Sequence, residues 1–405
     1  MGKYLGGMKM TKIMAVNAGS SSLKFQLFSM PEETVLVSGV VERIGFEDAY
    51  FTIKVNGEKN KSVLPIKDHK QAVEMLLAAL IDYKIVASLD EIKGVGHRVV
   101  NGGDLFPEST KVEGDVIARL ETINDLAPLH NPPAIVGYRA FASALPEAGH
   151  VLVFDTSFYV NMPEVSYIYP VPYEWYTDYS VRKYGAHGTN HKFIAKEARN
   201  ILNLGEDAKI ITCQIGNGAS LAAVKDGKCV NTSMGFTPLA GVMMGTRSGD
   251  IDPAVIKYIC EQTGKSVAEV TNDLNKKSGL LGVSGISSDS RDVENAANEG
   301  NKRAILAQDL QVKTILDYIG SYYVRLGGCD AIVFSAGLGE NNIAMRETIC
   351  EKLTDALGVV LDKERNNVRG ETIVISADES KVKVMIIPAN EELVIARDTT
   401  RLLDL

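Results

Sequence analysis

The chain has 405 residues, with 51 acidic side chains against 43 basic ones and a net charge of −8. The length exceeds what one small core organises and points to two domains, and the acidic excess excludes a non-specific nucleic-acid binder, which needs a basic surface. Apolar residues at 45% and charged residues at 23% exclude a disordered or collagen-like chain, and no apolar run approaches the roughly 20 residues of a bilayer span.

The first eleven residues lack the apolar segment of a secretory signal. With Met8 and Met10 just ahead of the first strand, they read as a frayed extension or an alternative start. Strand-like runs follow at 13–16, 23–28, 34–41 and 51–55, marked by two-residue alternation and β-branched content. Residues 72–83 carry Val73, Leu76, Leu77 and Leu80 on one helical face. A second helix begins after Asn131, where Pro132 and Pro133 suit a first turn. A buried strand at 151–154 ends at Asp155, and the Tyr- and Pro-rich stretch 161–184 reads as the approach to a domain boundary.

The second half repeats the theme. Strands at 210–213 and 220–224 flank a glycine-rich turn, and a helix starts at Asp252-Pro253. A long periodic helix covers 302–326, and a buried strand at 331–334 runs into a glycine turn. A late strand at 382–387 is followed by Pro388 and a last helix from about Asn390. The five cysteines are odd in number and include no Cys-x-x-Cys pair, the usage expected of reduced, mostly buried thiols in a cytosolic protein. The segment 13–20 is echoed at 210–217. Laying Asn17 on Gln214 lays Gly19 on Gly216, an offset of 214 − 17 = 197 residues, about half the chain. An echo at half-length predicts duplicated domains, each offering one hairpin tip.

The turn Asn17-Ala18-Gly19-Ser20-Ser21-Ser22-Leu23-Lys24 combines a glycine, hydroxyls and a lysine between two strands, a phosphate cradle built without a helix N-terminus. Gln214-Ile215-Gly216-Asn217-Gly218 and Gly337-Leu338-Gly339-Glu340-Asn341 are two more such turns, each after a buried strand. Three of them argue for a nucleotide site. Gly264-Lys265-Ser266 ends like a P-loop, but Ile259 stands where its first glycine is required, and no Gly-x-Gly pair has the third glycine of a dinucleotide fingerprint. Arg98 and Arg247 lie among glycines and are expected on loops, where a guanidinium recognises carboxylate or phosphate in a plane and neither arginine anchors a core. His187 and His191 have the spacing of a zinc pair without its glutamate or a third ligand. His191 instead reads as first-turn helical with Thr189 or Asn190 as the cap, and His187 as a donor in the site. Asp155, at a strand end, suits metal binding, orientation of a reactive group or capping. Asn390-Glu391-Glu392 suits an acidic helix start.

These residues resemble the acetate kinase family. The resemblance lies in Asn17 to Lys24, Gly96-His97-Arg98, Leu126 to Pro132, Phe154 to Phe158, Tyr184-Gly185-x-His187-Gly188-Thr189, Met243 to Asp250 and Asn390-Glu391-Glu392, and it runs in order along essentially the whole chain. It implies an α/β protein of two domains with duplicated actin-like, ribonuclease H-like topology and an interdomain ATP cleft. The domains would be residues 1–160 joined by 390–405, and 161–389. The implied reaction is reversible phosphoryl transfer from ATP to acetate, giving acetyl phosphate and ADP. A propionate or butyrate kinase and a non-metabolic actin-like ATP-binding module are the alternatives.

By the same resemblance Arg98, Asp155, His187 and Arg247 are catalytic, and Arg98, Val100, Leu129, Ala186 and Pro238 bind the acyl substrate. Lys24, Gln214, Ile215, Gly216, Asn217, Gly218, Asp289, Ser290, Arg291, Gly337, Leu338, Gly339, Glu340 and Asn341 contact ATP. Asn17 and Glu391 hold magnesium, for which manganese can substitute. A cytoplasmic homodimer that binds neither nucleic acid nor membrane is implied. Three positions depart from the pattern: Gln214 replaces a usual His, Asn190 a usual Ser and Ala186 a common Phe.

Overall fold

The computed structural model of the chain describes residues 4–5 and 8–405. The leading segment expected to fray lies partly outside them. Two compact units form. One takes the described residues up to Ser157 plus Asn390–Leu405, and the other is Phe158–Ala389.

The first unit is built on β1 (Thr11–Ala18), β2 (Ser22–Met30), β3 (Thr34–Glu42), β4 (Tyr50–Val55), β5 (Glu58–Val63), β6 (Ile92–Val99) and β7 (Gly149–Phe154). Their order across the sheet is β5-β4-β3-β2-β1-β6-β7, closed by the short edge strand Thr110–Lys111. β1 to β5 are antiparallel, while β6 and β7 run parallel to β1. Ile13 to Val16 are at most 1% exposed, as a strand covered on both faces requires. The outer strand β5 is exposed throughout and carries two lysines, which discourages pairing with another chain.

Helix α1 (His69–Asp82) is capped by Asp68, which accepts from the Gln71 amide at 2.8 Å, and it buries the expected stripe Val73, Leu76, Leu77 and Leu80. α2 (Asn131–Ala144) opens on its two prolines. The final helix, labelled α8 (Glu391–Leu402), packs on β1, β6 and β7. Gly96 makes this approach possible: a Cβ there would stand 2.2 Å from Thr399 Oγ1 and 2.4 Å from Ile395 Cγ2.

The second unit has α3 (Gly188–Ile201), β8 (Lys209–Ile215), β9 (Ala219–Lys225), β10 (Lys228–Thr232), α4 (Ser290–Asn298) and α5 (Lys302–Leu326). β11 (Ala331–Ser335), α6 (Ala336–Asn341), α7 (Ile343–Leu357) and β12 (Lys383–Ile386) complete it. The strand order is β10-β9-β8-β11-β12, with Ile373–Val374 at the edge. The plan is that of β3-β2-β1-β6-β7: an antiparallel trio, then two strands parallel to the first. This is the duplicated actin-like α/β topology. Asn17 and Gln214 are each the penultimate residue of the first strand of their unit, so the half-length echo marks equivalent positions. No helix among the described residues is long and apolar enough to cross a membrane.

Candidate active site

In the first unit the β1–β2 tip is tied by Gly19 N–H donating to Ser22 C=O at 2.8 Å, and the buried ring of His69 holds Gly19 C=O from Nε2 at 2.7 Å. Asn17 and Lys24 face each other in register at the end of this hairpin. They share a cavity of about 340 Å³ with Arg98 and Val100. The same wall includes Ser22 from the expected cradle, His130 from the Leu126–Pro132 motif, and Glu42, for which sequence reasoning had no signal.

Arg98 lies on β6 and not on the loop expected for it. Its Nη2 donates to Asp155 Oδ2 at 2.6 Å, and Nε lies 3.5 Å from Glu391 Oε2. Asp155 is fully buried, so Arg98 does anchor an interior charge, contrary to the expectation that neither arginine would. Burial alone would pull the guanidinium pKa down, but Asp155 and Glu391 more than offset it and raise it. Burial, helped by Asp155 and Glu392, pushes the Glu391 carboxyl above its ordinary range despite Arg98. Glu392 pairs instead with Lys24. The loop after β6 is clamped by buried Asn131, which donates to Asn101 C=O at 2.8 Å. Leu129 projects outward, 72% exposed.

In the second unit α3 begins two residues earlier than an expected Thr189 cap would place it, and three earlier than an Asn190 cap. His187 is the N-cap, and its φ of +59° costs a non-glycine residue about 1–2 kcal/mol. His187 Nδ1 and His191 Nε2 each lie 2.8 Å from Ser220 Oγ, and His191 Nδ1 lies 2.7 Å from Thr212 Oγ1. Thr212 donates onward to Ala222 C=O. That chain of bonds puts the His191 proton on Nδ1, makes Ser220 donate to His191 Nε2, and makes His187 donate from Nδ1. The His187 Nε2 edge is then turned toward the next turn of chain. A Cβ added at Gly218 would stand 3.6 Å from both His187 Nε2 and Arg247 Nη1, so the imidazole and the guanidinium flank that turn. Arg247 bonds to Pro238 C=O at 3.2 Å and has no carboxylate partner among the described residues. Burial lowers its pKa.

A cavity of about 570 Å³ opens beside this turn. Its wall includes Gly216, Asn217, Asp289, Ser290, Arg291, Gly337, Leu338 and Asn341, all nucleotide candidates. Gln214, Ile215, Gly218, Gly339 and Glu340 are not part of the wall. Ile215 belongs to the core, and Glu340 accepts from the Ala389 amide at 2.9 Å. The expected turn at 337–341 is helix α6, entered through Ala336 at φ +65°. Gly245 lets the Asn217 side chain lie across it, since a Cβ there would meet Asn217 Oδ1 at 1.8 Å. Arg291 is pinned by Asp289, whose carboxyl that bond lowers to about 2. Gly245, from the Met243–Asp250 motif, also lines the wall, and Leu280, Ser288, Glu294, Asn342 and Arg369 complete it and were not foreseen. Ala186 is buried in the core of this unit, and its carbonyl accepts from Tyr159.

Residues 12–397 match the Acetokinase family. Acetate kinase from Geobacillus kaustophilus is 56% identical over 98% of this chain and 100% of its own, and that of Bacillus subtilis is 56% identical over 97% and 100%. The crystal structure of Porphyromonas gingivalis acetate kinase covers 97% of this chain and 100% of its own, with a TM-score of 0.93 at 43% identity. A propionate kinase from Francisella tularensis covers 97% and 100%, with a TM-score of 0.91 at 40% identity. The imidazole and guanidinium around the Gly218 turn, the Arg98–Asp155 pair and this agreement along the whole chain have one reading: the chain belongs to the acetokinase family.

Proposed function

We propose that the protein transfers the γ-phosphoryl group of ATP reversibly to acetate, giving acetyl phosphate and ADP. The observation that carries this reading is Arg247, a largely buried guanidinium with no carboxylate partner among the described residues, set beside His187 at a phosphate-cradling turn. Such a group is poised to receive negative charge. Acetate is already an ionised nucleophile at neutral pH, so no strong general base is needed, and positioning and charge stabilisation carry the catalysis.

In this reading the second unit holds the nucleotide along Asn217, Asp289 to Arg291 and α6. His187, when protonated, donates to a phosphoryl oxygen, and Arg247 stabilises the charge that develops there. Arg98 holds the carboxylate of acetate, with Asp155 keeping its guanidinium plane fixed and Val100 against the methyl group. Leu129, Ala186 and Pro238 complete the acyl pocket in this proposal.

The donor set Asn17 and Glu391 fits a divalent ion: both offer hard oxygens, and Glu391 is a partly buried carboxyl crowded by Asp155 and Glu392, which a cation relieves. Magnesium is the proposed ion, with manganese as a substitute. When bound it neutralises phosphate charge. We read the enzyme as a cytoplasmic homodimer. Tyr173, Trp175, Tyr179 and Val165, all about half exposed or more, are the apolar surface that association would cover.

The deciding assay incubates the protein with ATP, magnesium and acetate and traps acyl phosphate with hydroxylamine. Acetyl hydroxamate is the expected product. No hydroxamate from acetate, propionate or butyrate overturns the reading. Parallel kcat/KM values on the three acids should favour acetate.

A further inference from the structure

Asn190 is fully buried at the head of α3, and its Nδ2 donates both to Gln214 Oε1 at 2.8 Å and to Ser335 Oγ at 3.1 Å. Its Oδ1 has no partner among the described residues. Gln214 and Ser335 are register neighbours at the ends of parallel strands β8 and β11. Both strands then run directly into cavity wall, Gly216 and Asn217 from one and Gly337 and Leu338 from the other. Asn190 therefore stitches together the two strand ends that present the nucleotide cavity.

The bond also fixes which end of the Gln214 amide looks outward. With Oε1 held by Asn190, Nε2 and its two N–H groups are left without a partner among the described residues. Turning both amides over would bury the two N–H groups of Asn190 without acceptors and aim an oxygen outward. Two orphaned donors cost more than the one orphaned acceptor observed. The observed arrangement thus leaves a neutral donor at the strand end, two residues ahead of the cavity wall at Gly216.

We propose that Asn190 is a positioning residue for the nucleotide phosphates, acting through Gln214, and that this donor holds the anion without itself titrating. The proposal rests on the nucleotide reading of this cavity. The ionisable groups around the pair are His187 and His191 from α3, Arg247 beside Gly218, and the buried Cys213 on β8. All remain in every variant below, so differences between variants isolate position 214.

The test is ADP–magnesium binding by calorimetry on the full chain, which needs no turnover and so separates this proposal from the identity of the acyl acceptor. Gln214→Ala and Asn190→Ala should each weaken binding about five- to tenfold, and the double variant should be no weaker than Gln214→Ala alone. Effects that multiply in the double variant overturn the proposal, as does unaltered binding by folded Asn190→Ala. Gln214→Glu keeps the acceptor for Asn190 and removes the outward donor, so it covers the case in which Asn190→Ala does not fold. It should bind at least tenfold more weakly with an unchanged Tm, and wild-type affinity overturns the proposal. Gln214→His should add a pH dependence absent from wild type, tightening binding at least about threefold relative to it between pH 7.5 and 5.5. Parallel profiles for the two proteins contradict a donor at 214 that faces the anion.

Discussion

The hairpins β1–β2 and β8–β9 share one backbone plan and carry opposite chemistry. In the first, the tip region is ionic: Lys24 pairs with Glu392, and Arg98 on the adjoining strand holds Asp155 and Glu391. In the second, the surroundings are hydrogen-bonded rather than ion-paired, through His187, Ser220 and His191 on one side and Asn190, Gln214 and Ser335 on the other. A duplicated scaffold fixes where a turn projects. What the turn recognises is decided by the strand or helix packed beside it. The ionic hairpin suits a metal ion and a carboxylate, while the other leaves Arg247, which has no carboxylate partner among the described residues, to receive an anion.

Replacing the arginine of each region gives the sharpest contrast. Arg247→Ala and Arg98→Ala should each lower turnover at least a hundredfold, about 2.7 kcal/mol of transition-state stabilisation, measured by steady-state kinetics. Their stabilities should differ. Arg98→Ala strands the fully buried Asp155 and should cost about 3 kcal/mol in denaturant unfolding, whereas Arg247→Ala should be near neutral. Equal stabilities would erase the distinction between the two regions.

A second contrast is in pH. His97 and His150 are buried in the first unit with Nε2 and Nδ1 3.0 Å apart, and burial holds His97 well below its ordinary value and lowers His150 to about 4. Both favour the neutral form in the fold, so the unfolded chain binds more protons below pH 6.5, and stability must fall as pH drops from 6.5 toward 4. The loss from His150 should approach roughly 3 kcal/mol, and His150→Gln should flatten the unfolding free energy across that window. An unchanged slope would place the acid sensitivity elsewhere.

Glu391 has the opposite sign. Its raised carboxyl pKa means that ionisation works against the fold as pH rises through the folded value, and a bound cation reverses this. Activity should vanish in excess chelator and return with magnesium, and Glu391→Gln should raise the magnesium needed for half-maximal rate several-fold. Full activity without a divalent ion would remove both Asn17 and Glu391 from this role. The smallest effect belongs to Lys24, whose side chain is 53% exposed. Lys24→Met should change stability by less than about 1 kcal/mol while raising KM for ATP.

Much of this was legible in the sequence because it is local. Apolar alternation marked the strands, the Pro132-Pro133 pair marked a helix start, and the half-length echo placed Asn17 and Gln214 at equivalent positions before any sheet was seen. The Ala186 departure was visible too, but not that its side chain is buried in the core. The long-range pairings belong to the tertiary structure alone. Arg98 was expected on a loop, although its flanking glycines already implied close backbone packing. Gly94 and Gly96 let α8, from the far end of the chain, lie against β6 and bring Glu391 to the guanidinium. Glu42 and Arg369 had no signal: Glu42 reaches its cavity through the neighbour that sheet order gives its strand, and Arg369 from a connecting segment outside any helix or strand. Local propensity and spacing write the elements into the sequence. Which charges meet depends on parallel crossovers between distant strands, and no short window of residues records that.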